Sequence, residues 1–245
     1  MRKYWDDTTT YDQPTAEELR RKASVSVKRA GKKGKQYEPV ICRSRKGSVC
    51  ESWWGQAWCD NLESYADYSS RLPRGRSYVR SGAVIDLSIS EGKVTAKVQG
   101  RRAAPYKVEI RIGRLSEENC QIIIDRCTNR IESLETLANG AFPEELKEVF
   151  TEKGGLFPSP KEISFNCSCP DWAMMCKHVA AAMYGIGLRF DENPFYFFKL
   201  RGIDPDRFID VAIENRIEKM LANADVESER IIKDEDITEL FGVRT

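Results

Sequence analysis

Twelve residues, Cys167-Ser-Cys-Pro-Asp-Trp-Ala-Met-Met-Cys-Lys-His178, constrain this chain more than any other stretch. They hold three of its eight cysteines and the only histidine among 245 residues. The spacing is C-x-C, six residues, then C-x-H. Three thiolates and one imidazole are the ligand number and softness that a tetrahedral zinc ion takes. One structural Zn²⁺ held by Cys167, Cys169, Cys176 and His178 is therefore expected. Four protein ligands leave no open position for water or substrate, so such an ion staples the fold and does no chemistry. The competing reading is a chance cluster of buried cysteines. A sole histidine two residues from a cysteine, behind a C-x-C, argues against it.

The local pattern suits such a site. Glu162 to Cys169 reads as a strand that ends on the first two ligands. Cys176 and His178 open the following helix, Val179-Ala-Ala-Ala-Met-Tyr-Gly-Ile-Gly, whose small residues suit close packing. A helix N-terminus favours thiolates. Three thiolates on a divalent ion leave one net negative charge, which Lys177 inside the motif offsets. Cys42, Cys50 and Cys59 match no ligand spacing and read as unligated.

The net charge of +1 hides a division. Residues 1–114 hold 24 Lys and Arg against 13 Asp and Glu, and residues 115–245 hold 15 against 25. The halves are thus +11 and −10, which suggests a first half that faces a polyanion. Mutual neutralisation in the fold is the alternative. No run of 18 apolar residues exists, so no membrane span is expected. The first residues lack the apolar run of a secretory signal, and eight cysteines in such a chain do not make a disulfide framework. A reducing, cytoplasmic setting is the expectation.

The chain divides into four parts. Residues 1–40 form a basic, largely disordered arm around Gly31-Lys32-Lys33-Gly34-Lys35, with room for a short helix from the Thr15 capping box. Residues 41–114 hold an aromatic helix over roughly 52–67, then a basic segment with four arginines, Arg71 to Arg80. Three strands follow: Ile85 to Ile89, Val94 to Val98 and Tyr106 to Ile112, with a turn at Glu91-Gly92. They make a three-stranded antiparallel meander whose other face carries Lys93, Thr95, Lys97, Lys107, Glu109 and Arg111. Residues 115–203 form a helical lobe containing the cysteine-histidine motif (about 160–185). Ser116 caps a helix that runs to Asn139-Gly140, and a shorter one covers about 143–153. Residues 204–245 form an amphipathic helix over 205–223 and an acidic tail. The class is α+β.

C-x-C-x(n)-C-x-H is the pattern of the SWIM zinc finger, and further motifs extend the likeness. Trp53-Trp54-Gly55-Gln-Ala-Trp58, Arg74-Gly75-Arg-Ser-Tyr78-Val-Arg-Ser-Gly82, Val98-Gln99-Gly100-Arg, Pro105-Tyr106-Lys-Val and Asp191-Glu-Asn-Pro194 to Gly202 resemble the stand-alone SWIM zinc finger proteins of prokaryotes. The resemblance spans about residues 40–207. It implies zinc at Cys167, Cys169, Cys176 and His178, and a role in binding DNA or proteins. Helicase-like ATPases and recombination factors are the partners it suggests.

Two functions compete. One is non-catalytic binding of nucleic acid, DNA more than RNA, through Lys32, Lys33, Lys35, Arg71, Arg74, Arg76, Arg80, Arg101 and Arg102. A merely solubilising tail is the alternative reading of the arm, whose composition suits both. The other is a protein-interaction adaptor that docks a helicase-like ATPase or recombination factor without touching nucleic acid. An enzyme is not expected, because the motif claims the only histidine and with it every Ser-His and Cys-His scheme. No small-molecule substrate is expected. Because the motif lies in the acidic half, the finger is expected to sit away from most of the positive charge.

Overall fold

The computed structural model describes residues 14–64, 71–130, 142–152, 154–171 and 173–222. Its centre is an antiparallel sheet. Strands β1 (Val84–Ser90), β2 (Lys93–Val98) and β3 (Tyr106–Ile112) follow one another as a meander. Alternation puts Leu87, Ile89, Val94, Val98, Val108 and Ile110 on the buried side. On the open face Glu109 pairs with both Lys93 at 2.8 Å and Arg111 at 2.8 Å, which offsets part of that face's positive charge.

The sheet has four strands where the alternation predicts three. Strand β4 (Ile163–Cys167) pairs antiparallel with β3, Val108 facing Cys167 and Ile112 facing Ile163. The strand itself was legible. Its place beside β3 was not, because the helical lobe separates the two in sequence.

Eight helices surround the sheet among the described residues: α1 (Ala16–Gly31), α2 (Trp53–Glu63), α3 (Leu72–Arg80), α4 (Glu117–Arg130), α5 (Lys147–Thr151), α6 (Lys177–Glu192), α7 (Phe195–Arg201) and α8 (Pro205–Ala222). Helix α6 is the hub. It touches all four strands and packs on α2 and α3. Every residue from His178 to Leu188 is buried, as a helix without a polar face must be. Trp58 and Trp54 of α2 donate their indole N–H groups to α6 carbonyls, at Met183 (2.9 Å) and Phe190 (2.9 Å). The α2 aromatics are therefore core, in keeping with their helical spacing.

The arm expected to be largely disordered carries α1 across sixteen residues. The Thr15 capping box forms, with Glu18 answering it, and Leu19, Ala23, Ser26 and Ala30 are buried. The apolar face is too sparse to stand out in a Lys-rich sequence. The basic segment after Arg71 is also helical, as α3, with Pro73 in its first turn. Residues 1–13, the end of the expected α4 helix beyond residue 130, and the acidic tail lie outside the described residues.

Helix α3 lies so close to α6 that Gly75 has no room for a side chain. A Cβ there would sit 2.6 Å from Ala180 Cβ and 2.9 Å from the Ala180 backbone carbon. Gly75→Ala should therefore destabilise the fold by about 1–3 kcal/mol, despite the better helix propensity of alanine. Urea unfolding checks this, and wild-type stability in the variant would contradict the close approach.

Candidate metal centre

Two structural elements deliver the cysteine-histidine motif to one point. Cys167 is the last residue of β4. Ser168 then ties the turn to β3 twice: its amide donates to the Lys107 carbonyl (3.0 Å), and its hydroxyl accepts from the Lys107 amide (2.9 Å). Cys169 follows in that anchored turn. Asp171 folds the next stretch by accepting from the Ala173 amide (3.2 Å), and it pairs with Arg71 at 3.4 Å. The chain returns at Cys176, the N-cap of α6, whose sulfur accepts from the Val179 amide at 3.5 Å. His178 lies in the first turn.

The four ligand atoms all lie within 4.8 Å of one another. His178 Nδ1 is 3.8 Å from Cys176 Sγ and 4.0 Å from Cys167 Sγ. A tetrahedral ion with bonds of roughly 2.0–2.3 Å needs ligand-to-ligand edges of about 3.5–3.8 Å. The residues fit such an ion with only a slight contraction. The cluster can hold a metal ion, and the four residues singled out by spacing are the four brought together.

The imidazole is oriented by packing. Tyr106 stacks on it at 4.2 Å between centroids, and Tyr78 of α3 meets it edge-on at 5.5 Å. Gly100 closes the third side: a Cβ there would lie 2.9 Å from His178 Nε2 and 2.6 Å from the Tyr106 ring. Nε2 is buried without a hydrogen-bond partner among the described residues. Metal-bound imidazoles are commonly held by a hydrogen bond from the outer nitrogen. Here two tyrosines and a glycine backbone take over that role and leave Nδ1 aimed at the sulfurs. These three positions fall in the motifs quoted for the family resemblance, but spacing alone did not tie them to the metal.

Ionisation is uneven across the cluster. The Cys167 thiol beside it, together with His178 and the Val179 amide, pulls the Cys176 thiol down to about 4 against the cost of burial. The hydrogen bond with Cys176, then burial, pushes the Cys167 thiol up. Burial is the main cause that raises Cys169.

The nine cations expected at a polyanion surface have different placements. Lys32, Lys33 and Lys35 are exposed at the C-terminal end of α1. Arg71 pairs with Asp171, and Arg76 with Glu63 at 3.0 Å. Arg80 donates to the Gly47 carbonyl at 2.5 Å. Arg74, Arg101 and Arg102 are exposed. The expected distance between finger and positive charge does not hold. Arg102 lies over the Tyr106 ring at 5.4 Å and Lys177 over the Tyr78 ring at 5.7 Å, both tyrosines being the ones that flank His178. Helix α3, though far off in sequence, is folded onto the helix that starts at the centre. Of the remaining cysteines, Cys50 and Cys59 face each other with sulfurs 3.6 Å apart, and Cys42 turns to the carbonyls of Ser44 and Val49.

The fold and site together define an α+β protein with a three-cysteine, one-histidine cluster that can hold a metal ion. Over 165 residues the chain is 39% identical to Rv2102, an uncharacterized protein of Mycobacterium tuberculosis, an alignment covering 66% of this chain and 59% of that protein. The match thus spans about three fifths of the relative's length. No family model and no solved structure matches. Among the described residues, no helix is long and apolar enough to cross a membrane.

Metal loading must displace the protons of Cys167 and Cys169. Because both thiols are raised, loading should release protons and affinity should fall as pH falls. Chelator competition at several pH values measures the slope; a flat profile would contradict the ionisation pattern.

Proposed function

We propose that this chain is a SWIM-type zinc finger protein that holds one structural Zn²⁺ and binds nucleic acid, DNA more than RNA, without catalysing a reaction. The observation that carries the reading is the arrangement of the cluster. Three sulfurs and one ring nitrogen converge from a strand end and a helix start, with Cys176 and His178 buried. Soft thiolates with one imidazole at tetrahedral spacing suit zinc above the harder divalent ions. Cys176 and His178 belong to the hub helix, so the ion would fix the edge strand β4 to the core. Such a site supports folding, and four protein ligands leave it no reactive position.

The nucleic-acid part of the reading is supported by the excess of cations in the first half and by their nearness to the centre. If about five of them meet duplex phosphates, log K should fall with log salt at a slope of about −4 to −5. Fluorescence anisotropy with labelled duplex DNA between about 50 and 200 mM salt tests this. Binding that ignores salt, or no binding, would overturn it. The zinc assignment has its own test. Cys176→Ser should lower bound zinc from about one per chain and expose the 160–185 region to protease, as expected when metal binding and folding are coupled. Full zinc occupancy in that variant would refute the ligand set.

A second reading, a protein-interaction adaptor for a helicase-like ATPase or recombination factor, is favoured by one observation. Ile213, Ile217, Met220 and Leu221 are exposed on α8 at the spacing of one helix face. Co-purification of a stoichiometric partner that survives nuclease treatment and is lost on Ile217→Glu supports it.

A further inference from the structure

The cations around the metal centre differ from the others in what holds them. Gln99 is fully buried; its side-chain amide donates to the Arg102 carbonyl at 2.7 Å and the Gly100 carbonyl at 3.2 Å, and its oxygen accepts from Ser26 of α1 at 2.7 Å. Lys22 of the same helix donates to the Arg101 carbonyl at 2.9 Å. The loop that carries Arg101 and Arg102 is therefore fixed by its backbone, while both guanidinium groups stay in solvent. Lys177 is fixed by its place between two ligands. Arg74 is fixed by the close contact of Gly75 with Ala180, on α6 about one turn beyond Lys177. None of these four cations pairs with a carboxylate among the described residues, whereas Arg71 and Arg76 do.

We propose that the rim of the metal centre, formed by Arg74, Arg101, Arg102 and Lys177, is the surface that receives the sugar-phosphate backbone of duplex DNA. This rests on the nucleic-acid reading above and assigns it to one face. Charge is the first argument. A divalent ion on three thiolates and an imidazole leaves one negative charge, and one cation neutralises it; four leave a surplus facing solvent. Preorganisation is the second, since cations on a fixed loop and fixed helix starts lose little freedom on meeting phosphates.

Duplex is favoured over single strand because, among the described residues, no aromatic ring is fully exposed as a stacking platform. Single-strand binding draws on exposed aromatic faces. Tyr78 and Tyr106, at 3% and 7% exposure, are committed to His178. The large apolar side chains exposed among the described residues are aliphatic or methionine. Contacts limited to phosphates carry no base information, so binding should be indifferent to sequence.

The test compares two charge-removing variants on a short labelled DNA duplex. Arg102→Gln combined with Lys177→Gln should weaken binding at least about 10-fold near 100 mM salt and flatten the salt slope by about two. Lys32→Gln, Lys33→Gln and Lys35→Gln together should keep most of the affinity. Bound metal per chain and thermal midpoint are measured on each. If the rim variant loses metal, Arg74→Gln with Arg101→Gln, both outside the motif, must give the same flattening. A rim variant with wild-type affinity and slope, or tighter binding of single strands than of duplex by the wild type, overturns this assignment while the nucleic-acid reading stands. Failure of the wild-type chain to bind either overturns that reading and the assignment with it.

Discussion

The start of helix α6 is the point on which the rest of the molecule depends. A helix begins with four backbone N–H groups that have no partner inside it. Here the helix is buried nearly throughout, so these groups cannot all be left to solvent. Cys176 answers for Val179 through its sulfur, and the low affinity of that sulfur for a proton keeps it an anion. The same sulfur belongs to the metal cluster. One atom therefore caps the hub helix and joins it to the edge strand β4. That strand is only five residues long and half-buried, and its pairing with β3 alone is a weak tether. A metal ion bound at Cys167 and Cys169 would cross-link that strand to the helix start and add to the ladder hydrogen bonds.

Packing then determines electrostatics. The run Ala180-Ala181-Ala182 gives α6 a surface without bulk, and Gly75 gives α3 a matching one. The two backbones approach closely, which brings Tyr78 of α3 to the edge of His178. It also carries Arg74 to the neighbourhood of the centre. Small side chains on two helices thus decide where positive charge lies around the metal. A larger residue at either contact would move the charges along with the backbone.

This explains which parts of the molecule could be read from sequence. The four ligands were legible because their spacing is local and their chemistry is specific. The meander was legible from its period-two alternation and its tight turn, and the trio of tryptophans from helical spacing. Three things were hidden. The pairing of β4 with β3 joins residues about fifty positions apart, and nothing in either strand names its partner. Helix α3 contains Pro73, Gly75 and three arginines, with a fourth at its N-cap, so it reads as a basic segment until its contact with α6 is known. The placement of charge was misjudged for the same reason. Counting charge along the chain gives two opposed halves, but folding interleaves them, and Arg102 and Lys177, from opposite halves, lie over the two tyrosines that flank His178.

The same contrast separates the two groups of cations as candidates for phosphate contact. Lys32 lies at the C-terminal end of α1, where the helix dipole favours positive charge, with Lys33 and Lys35 just beyond it. Their presence has a local explanation that asks for no partner. Arg71, Arg76 and Arg80 are likewise accounted for by Asp171, Glu63 and the Gly47 carbonyl. Arg101 and Arg102 have no such account. A buried glutamine and a lysine hold their backbone, yet among the described residues neither guanidinium group pairs with a carboxylate, and Arg102 rests on the Tyr106 ring. A loop fixed from below in this way holds its positive charge at a defined place on the surface. An ion held by all four residues of the cluster beneath would have no open position, and its contribution to that surface would be rigidity.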